Sequence, residues 1–97
     1  LAVLPIVHSS HIYMANQEGI ALALSSKTGQ EIWNFSLDSG VNRPLSFVPQ
    51  LNRLIVISDD NYSHVINATT GKRSWRFKIK AVSNYTAYGA SQLKTKT

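Results

Sequence analysis

The sequence predicts an all-β chain in which one four-stranded antiparallel unit is laid down twice. Three observations carry this reading. Residues 12–35 (IYMANQEGIALALSSKTGQEIWNF) and 54–77 (LIVISDDNYSHVINATTGKRSWRF) align without a gap, 42 residues apart, so that Thr28-Gly29 falls on Thr70-Gly71, Trp33 on Trp75 and Phe35 on Phe77. Within each copy the apolar residues alternate with period two, as they do along a strand with one buried face. The β-rich runs are short and are separated by clusters of Gly, Asn, Asp and Ser, which mark hairpin turns.

In the first copy the runs are His11 to Ala15, Ile20 to Leu24 and Glu31 to Leu37, joined by Asn16-Gln17-Glu18-Gly19 and by Ser25 to Gln30. In the second they are Arg53 to Ser58, Tyr62 to Ile66 and Arg73 to Ile79. Gly19 and its counterpart Asn61 are the residue types that best tolerate the positive φ of a tight hairpin. A further run precedes each copy, Ala2 to Val7 and Arg43 to Val48, and contains Pro5 or Pro44. Proline lacks the amide donor, so it suits a strand start or an edge. Ala21 to Ser26 has the propensity for helix, but it is short and its repeat partner reads as strand, so no helix is predicted.

Four strands in about 42 residues is the dimension of a β-propeller blade. Residues 1–40 therefore read as a first blade and 41–80 as a second. Ala81 to Gly89 falls in phase with the first strand of a third, and Ser91 to Thr97 reads as a polar, basic tail. Trp33, Phe35 and Leu37 share one face of their strand; Trp75, Phe77 and Ile79 share the same face of theirs. Such an aromatic surface is too large for one sheet to cover, and a neighbouring blade covers it. Two blades leave open edges and two apolar faces. The chain is therefore expected to be part of a larger or multi-chain propeller, completed by blades of the same parent chain, by further copies or by a partner chain.

Composition narrows the function only a little. The 97 residues include no cysteine, which removes disulfides, thiolate metal sites and a cysteine nucleophile. No apolar stretch approaches 18 residues, so no membrane-spanning helix is predicted. The chain begins LAVLPIV, without the basic segment of a signal peptide, and Leu1 suggests a mature, trimmed or partial chain. The net charge of +5 draws on Lys72, Arg73, Arg76, Lys78 and Lys80, read first as a solvated strand face. Arg76, Lys78 and Lys80 are the candidate contacts for an acidic partner. Because Trp75 and Phe77 alternate with them on the opposite face, a stacking platform for single-stranded nucleic acid is not expected. Asn34, Asn61, Asn67 and Asn84 each begin an N-x-S/T triplet. Coincidence in an Asn-, Ser- and Thr-rich bacterial chain is the favoured reading, and a eukaryotic lumenal or extracellular protein is the alternative.

No catalytic constellation emerges. His8, His11 and His64 lack companions at metal-ligand spacing. Asp59 and Asp60 are turn neighbours, not carboxylates facing each other across a cleft. Ser63 and His64 alternate to opposite faces and lack a third member of a triad. No catalytic residue, cofactor or metal is assigned.

The segments from Ala23 to Trp33 and from Ile66 to Trp75 resemble the tryptophan-docking repeat of the pyrroloquinoline-quinone-type propellers, roughly Ala-Leu-Asp-x-x-Thr-Gly-x-x-x-Trp, and Tyr13 with Gly19 matches the hairpin that precedes it. The usual Asp is Ser25 in one copy and Asn67 in the other; both retain the ability to hydrogen-bond to the turn backbone. The resemblance implies structural docking roles for Gly29, Trp33 and Phe35 and for Gly71, Trp75 and Phe77. The quinone dehydrogenases of this group hold their cofactor with residues from many blades, an adjacent cysteine pair and calcium ligands among them, and the cysteine-free chain departs from that pattern. The cadence is more similar to the propeller lipoprotein of the bacterial outer-membrane β-barrel assembly machine. What this implies is a non-catalytic scaffold or protein–protein interaction module in the bacterial periplasm or envelope. The alternatives are a fragment of a quinone-dependent dehydrogenase and a lumenal eukaryotic propeller, a sensor or membrane-insertase subunit.

Overall fold

The computed structural model describes residues 4–79. Eight strands follow one another: β1 (Ile6–His8), β2 (His11–Ala15), β3 (Ile20–Ser25), β4 (Glu31–Ser36), β5 (Ser46–Val48), β6 (Arg53–Ile57), β7 (Tyr62–Asn67) and β8 (Arg73–Lys78). They form two four-stranded antiparallel sheets, ordered β1-β2-β3-β4 and β5-β6-β7-β8. No helix occurs among the described residues. Lys80 and the run from Ala81 to Gly89, expected to open a third blade, lie outside them.

The β2–β4 hairpins repeat in atomic detail in β6–β8. Gly19 has φ 89° and Asn61 φ 66°, the left-handed conformation their turns require. Their carbonyls accept from Leu37 N at 2.6 Å and Ile79 N at 2.7 Å. In the longer turns Ser25 Oγ accepts from the amides of Lys27 and Thr28, and Asn67 Oδ1 accepts from those of Thr69 and Thr70. Gly29 N and Gly71 N each donate, at 2.8 Å, to the carbonyls of Ser25 and Asn67. Past each long turn the ladder shifts register: Ala23 pairs Trp33 while Leu24 pairs Glu31, and Val65 pairs Trp75 while Ile66 pairs Arg73. This bulge sits immediately before each tryptophan, where it increases the twist of the strand and re-aims the side chains that follow.

The two copies differ at their first hairpin. His8 pairs His11 across a two-residue turn, whereas Val48 pairs Arg53 across a four-residue one. The first strand of the second sheet is also shorter than expected, starting at Ser46 and not at Arg43. The segment 43–45, including Pro44, runs before β5, just as Pro5 stands before β1.

The core lies between the sheets. One face of the first sheet presents Tyr13, Ala15, Ala21, Ala23 and Trp33, and the facing side of the second presents Leu54, Val56 and Ile66. Ala21 and Ala23 are fully buried, and their small side chains leave room beneath the aromatic residues. Val41 and Leu45, in the connection, close the same cluster. Each sheet's other face carries half-buried apolar residues: Ile12, Met14, Leu22 and Leu24 on the first, Ile55, Ile57 and Val65 on the second.

Candidate functional site

The seam between the sheets is where the repeated residues come together. Trp33, at the bulge in β4, points out of the first sheet and is buried to 7% exposure. Its indole Nε1–H donates to the carbonyl of Ala68, in the long turn of the second sheet, at 2.8 Å. The ring lies flat against Gly71, and a Cβ at that position would stand 2.5 Å from Trp33 Cδ2. Gly71 is also at φ 77°, so backbone conformation and close approach both call for glycine. Tyr13 and Phe47 extend the contact, with ring centroids 5.3 Å apart.

Charged groups flank this apolar centre. The Arg73 guanidinium lies over the Phe35 ring, 5.2 Å from its centroid, a cation–π contact across the seam. Arg76 Nη1 pairs with Asp38 Oδ2 of the inter-sheet connection at 3.2 Å. Backbone bonds join in: Asp59 N donates to the Gly40 carbonyl at 2.8 Å.

The second copy of the same sequence features meets different surroundings. Trp75 occupies the position in β8 that Trp33 has in β4, but points away from the seam and is 61% exposed. Its ring lies tilted by 35° to that of Phe77, with centroids 4.8 Å apart. Gly29, the counterpart of Gly71, has φ 74° and nothing within 4 Å of the place its Cβ would take. The described residues thus present one occupied Trp–Gly contact, one exposed tryptophan and one open glycine turn.

The three basic candidates divide. Lys80 lies outside the described residues. Arg76 and Lys78 project from β8 on the face opposite Trp75 and Phe77, in keeping with alternation. An aromatic from another strand does share their surface: Tyr62 on the neighbouring β7. Its ring lies 4.7 Å from the Arg76 guanidinium carbon and 5.5 Å from Lys78 Nζ. Tyr62 pairs Lys78 across the ladder, a relation that no single strand's pattern reveals. The carboxylate that Arg76 meets is Asp38 of this same chain.

Sequence reasoning also missed a buried polar group. His64 is 1% exposed and its partner is Ser58, not Ser63; Ser58 Oγ lies 2.9 Å from His64 Nε2 and 2.5 Å from Asp60 Oδ1. The Ser58 bond holds the Asp60 carboxyl below its ordinary range, while burial pushes the His64 imidazole below its own. This is not a nucleophilic triad: the serine is fully buried and donates to the carboxylate, so no hydroxyl is available to a substrate. The signal in the sequence is the replacement of Leu22 by His64 at equivalent positions.

The described residues do not assemble a calcium site. Four of the five carboxylates are engaged separately: Glu31 with Asn34, Asp38 with Arg76, Asp59 with Asn42, and Asp60 with Ser58. Among the described residues no three His, Asp or Glu side chains gather as metal ligands. Two of the N-x-S/T asparagines serve the fold, Asn61 Oδ1 accepting from Arg43 and Asn67 Oδ1 closing its turn, while Asn84 lies outside the described residues. Asn34 is exposed.

Two twisted four-stranded sheets packed face to face, with an aromatic of one seated on a glycine turn of the next, define a segment of a β-propeller built from PQQ-like repeats. A family model described as outer membrane protein assembly factor BamB matches residues 2–93, and the chain belongs to that family. No curated protein matches the sequence significantly. Among solved structures, BamB from Moraxella catarrhalis is similar at TM-score 0.64 and 21% identity, over 73% of this chain and 21% of that one. Quinohemoprotein alcohol dehydrogenase ADHIIG from Pseudomonas putida HK5 is similar at TM-score 0.73 and 22% identity, over 84% and 13%. The corresponding enzyme from Comamonas testosteroni gives 0.71 and 20%, over 80% and 13%. At these identities the likeness is one of fold, and the chain spans a small part of each structure's length.

Proposed function

We propose that the chain is a pair of blades from a non-catalytic propeller scaffold that binds protein partners in a bacterial envelope assembly. The observation that carries the reading is the match over residues 2–93 to the family described as an outer membrane protein assembly factor. The chemistry of the residues agrees with it. Gly71, Trp33 and Phe35 are engaged in joining one blade to the next, and Gly29, Trp75 and Phe77 are the equivalent set, available to further blades. Among the described residues, Ser25, Asn67 and Asp60 close turns, and Arg73 and Arg76 meet groups across the seam. Lys78 and Arg76, on the Tyr62 face, are the contacts for an acidic segment of a partner, with Asp38 as the intrachain group that such a segment displaces.

The test uses the complete protein containing these blades. It is isolated from the bacterial envelope under native conditions, and separately incubated with pyrroloquinoline quinone and calcium and assayed for alcohol oxidation. Co-isolation of outer-membrane assembly proteins that weakens when Arg76 and Lys78 are replaced by Glu supports the scaffold. Quinone-dependent alcohol oxidation overturns it.

A further inference from the structure

Four polar side chains of the second blade form one directed chain of hydrogen bonds. Arg73 Nη1 lies 3.4 Å from His64 Nδ1. His64 Nε2 lies 2.9 Å from Ser58 Oγ, which lies 2.5 Å from Asp60 Oδ1. A guanidinium only donates, so Nδ1 carries the lone pair and the imidazole proton sits on Nε2. Nε2–H then donates to Ser58. The Ser58 hydroxyl has one proton and two acceptors in reach, Asp60 Oδ1 and the Tyr62 carbonyl at 3.2 Å. The shorter, charge-assisted bond to Asp60 takes it. The order Arg73, His64, Ser58, Asp60 thus accounts for every proton with a neutral histidine.

The chain runs along the seam. His64 pairs Val56 on one side and Arg76 on the other, and Val56 belongs to the face that packs on the first blade. The groups that face His64 are Arg73 and Arg76 from β8, Asp60 from the preceding turn, Asp38 from the inter-blade connection, and the Tyr62 ring, 6.4 Å away. Both nitrogens of a histidinium are donors, so a second proton at Nδ1 would set its N–H against the guanidinium N–H of Arg73. Burial of the imidazole at 1% exposure opposes the charge as well. His64 cannot retreat from mid-strand, whereas Arg73 is exposed and free to move. The same guanidinium covers Phe35 of the first blade.

We propose that His64 is an acid-sensitive latch on the inter-blade seam: neutral, it accepts from Arg73 and holds that guanidinium over Phe35; protonated at Nδ1, it expels Arg73 and the seam loses this contact. The first blade has no such device, since Leu22 and Glu31 stand at the positions of His64 and Arg73. The sign follows from linkage. The imidazole is held below the ordinary histidine value, so the unfolded chain takes up the proton first. The latch therefore weakens stability as pH falls below about 6.5 and stops contributing once the folded histidine is itself protonated.

The test is a pH titration of the full chain by NMR, following the imidazole nitrogens of His64 with the Arg73 side-chain and Phe35 ring signals. Expected are the Nε2–H tautomer at pH 7.5, a midpoint below about 6.5, and Arg73 and Phe35 shifts sharing that midpoint. Arg73→Gln raises the midpoint. His64→Leu, the residue type of the first blade, removes the fall in thermal midpoint between pH 7.5 and 5. The Nδ1–H tautomer, Arg73 and Phe35 signals that ignore the titration, or a midpoint unmoved in Arg73→Gln would each overturn the proposal. The NMR readings on the unaltered chain decide it even if a variant does not fold.

Discussion

The indole of Trp33 in the first blade donates to the carbonyl of Ala68 in the second, at 2.8 Å, with its ring face against Gly71. One side chain thereby contributes apolar burial, a satisfied polar atom and a positional constraint. The hydrogen bond fixes the ring's rotation, and the glycine fixes its depth. Trp75, at the equivalent place, has none of these partners among the described residues.

Trp33→Ala should therefore cost about 3–5 kcal/mol, the usual range for emptying a large buried aromatic site. Trp75→Ala in the same 97-residue chain should cost under about 1 kcal/mol, as surface substitutions do. Urea unfolding of the two variants measures the difference. Equal losses would mean that the two tryptophans have the same surroundings in solution.

The glycines give a second contrast. Gly29→Ala and Gly71→Ala each place a side chain at positive φ, at about 1–2 kcal/mol. Only Gly71→Ala also drives a methyl into the Trp33 indole. It should lower the denaturation midpoint more, and should shift Trp33 fluorescence toward that of an exposed indole. Gly29→Ala should leave the spectrum as it was.

Turn closure is ranked by geometry too. Asn67 Oδ1 accepts from two amides at 2.9 and 3.1 Å, Ser25 Oγ from two at 3.2 and 3.3 Å. Asn67→Ala should cost about 1 kcal/mol or somewhat more, and Ser25→Ala less. Ser25→Asp, which restores the residue type usual in this repeat, should raise the melting temperature. A fall there would show that the carboxylate is not accommodated by the turn.

Below the histidine window a second acid transition is expected. Ser58 holds the Asp60 carboxyl below its ordinary value of 3.8. Its contribution is therefore complete above that value and is lost as pH falls through the lower, folded-state value. Ser58→Ala removes the principal cause. The stability of that variant should be flatter below about pH 4 than that of the unaltered chain, measured by thermal unfolding at each pH.

The exposed pair Arg76–Asp38 should couple by no more than about 1 kcal/mol in a double-mutant cycle, because solvent screens it. Arg76→Glu with Lys78→Glu should consequently leave the melting temperature within a few degrees. Loss of partner binding in that variant would then report on the surface itself.

Six of the expected runs became strands with ends moved by at most a residue, and the two that open each unit shortened to Ile6–His8 and Ser46–Val48. That agreement has a local cause. Period-two patterning, turn asparagines and glycines, and the repeat itself act over a few residues, so each copy carries the whole instruction for its own sheet. Alternation likewise separated Trp75 and Phe77 from Arg76 and Lys78. What it could not show was Tyr62 beneath those cations, or Ser58 and Arg73 on either side of His64. Such pairs are made across ladders and turns, where partners are set by register and not by neighbourhood in the chain.

By itself, then, the sequence determined two like sheets, their turns, and the residues able to join one to another. Trp33 and Trp75 are indistinguishable in it, as are Gly29 and Gly71. Only the tertiary structure decided that Trp33 is buried on Gly71 while Trp75 stands exposed and Gly29 open. It alone placed His64 beside Ser58 and Arg73 on the seam. The physical reason is that burial belongs to a surface and its neighbour together: identical motifs acquire different energies once one has a blade against it and the other does not.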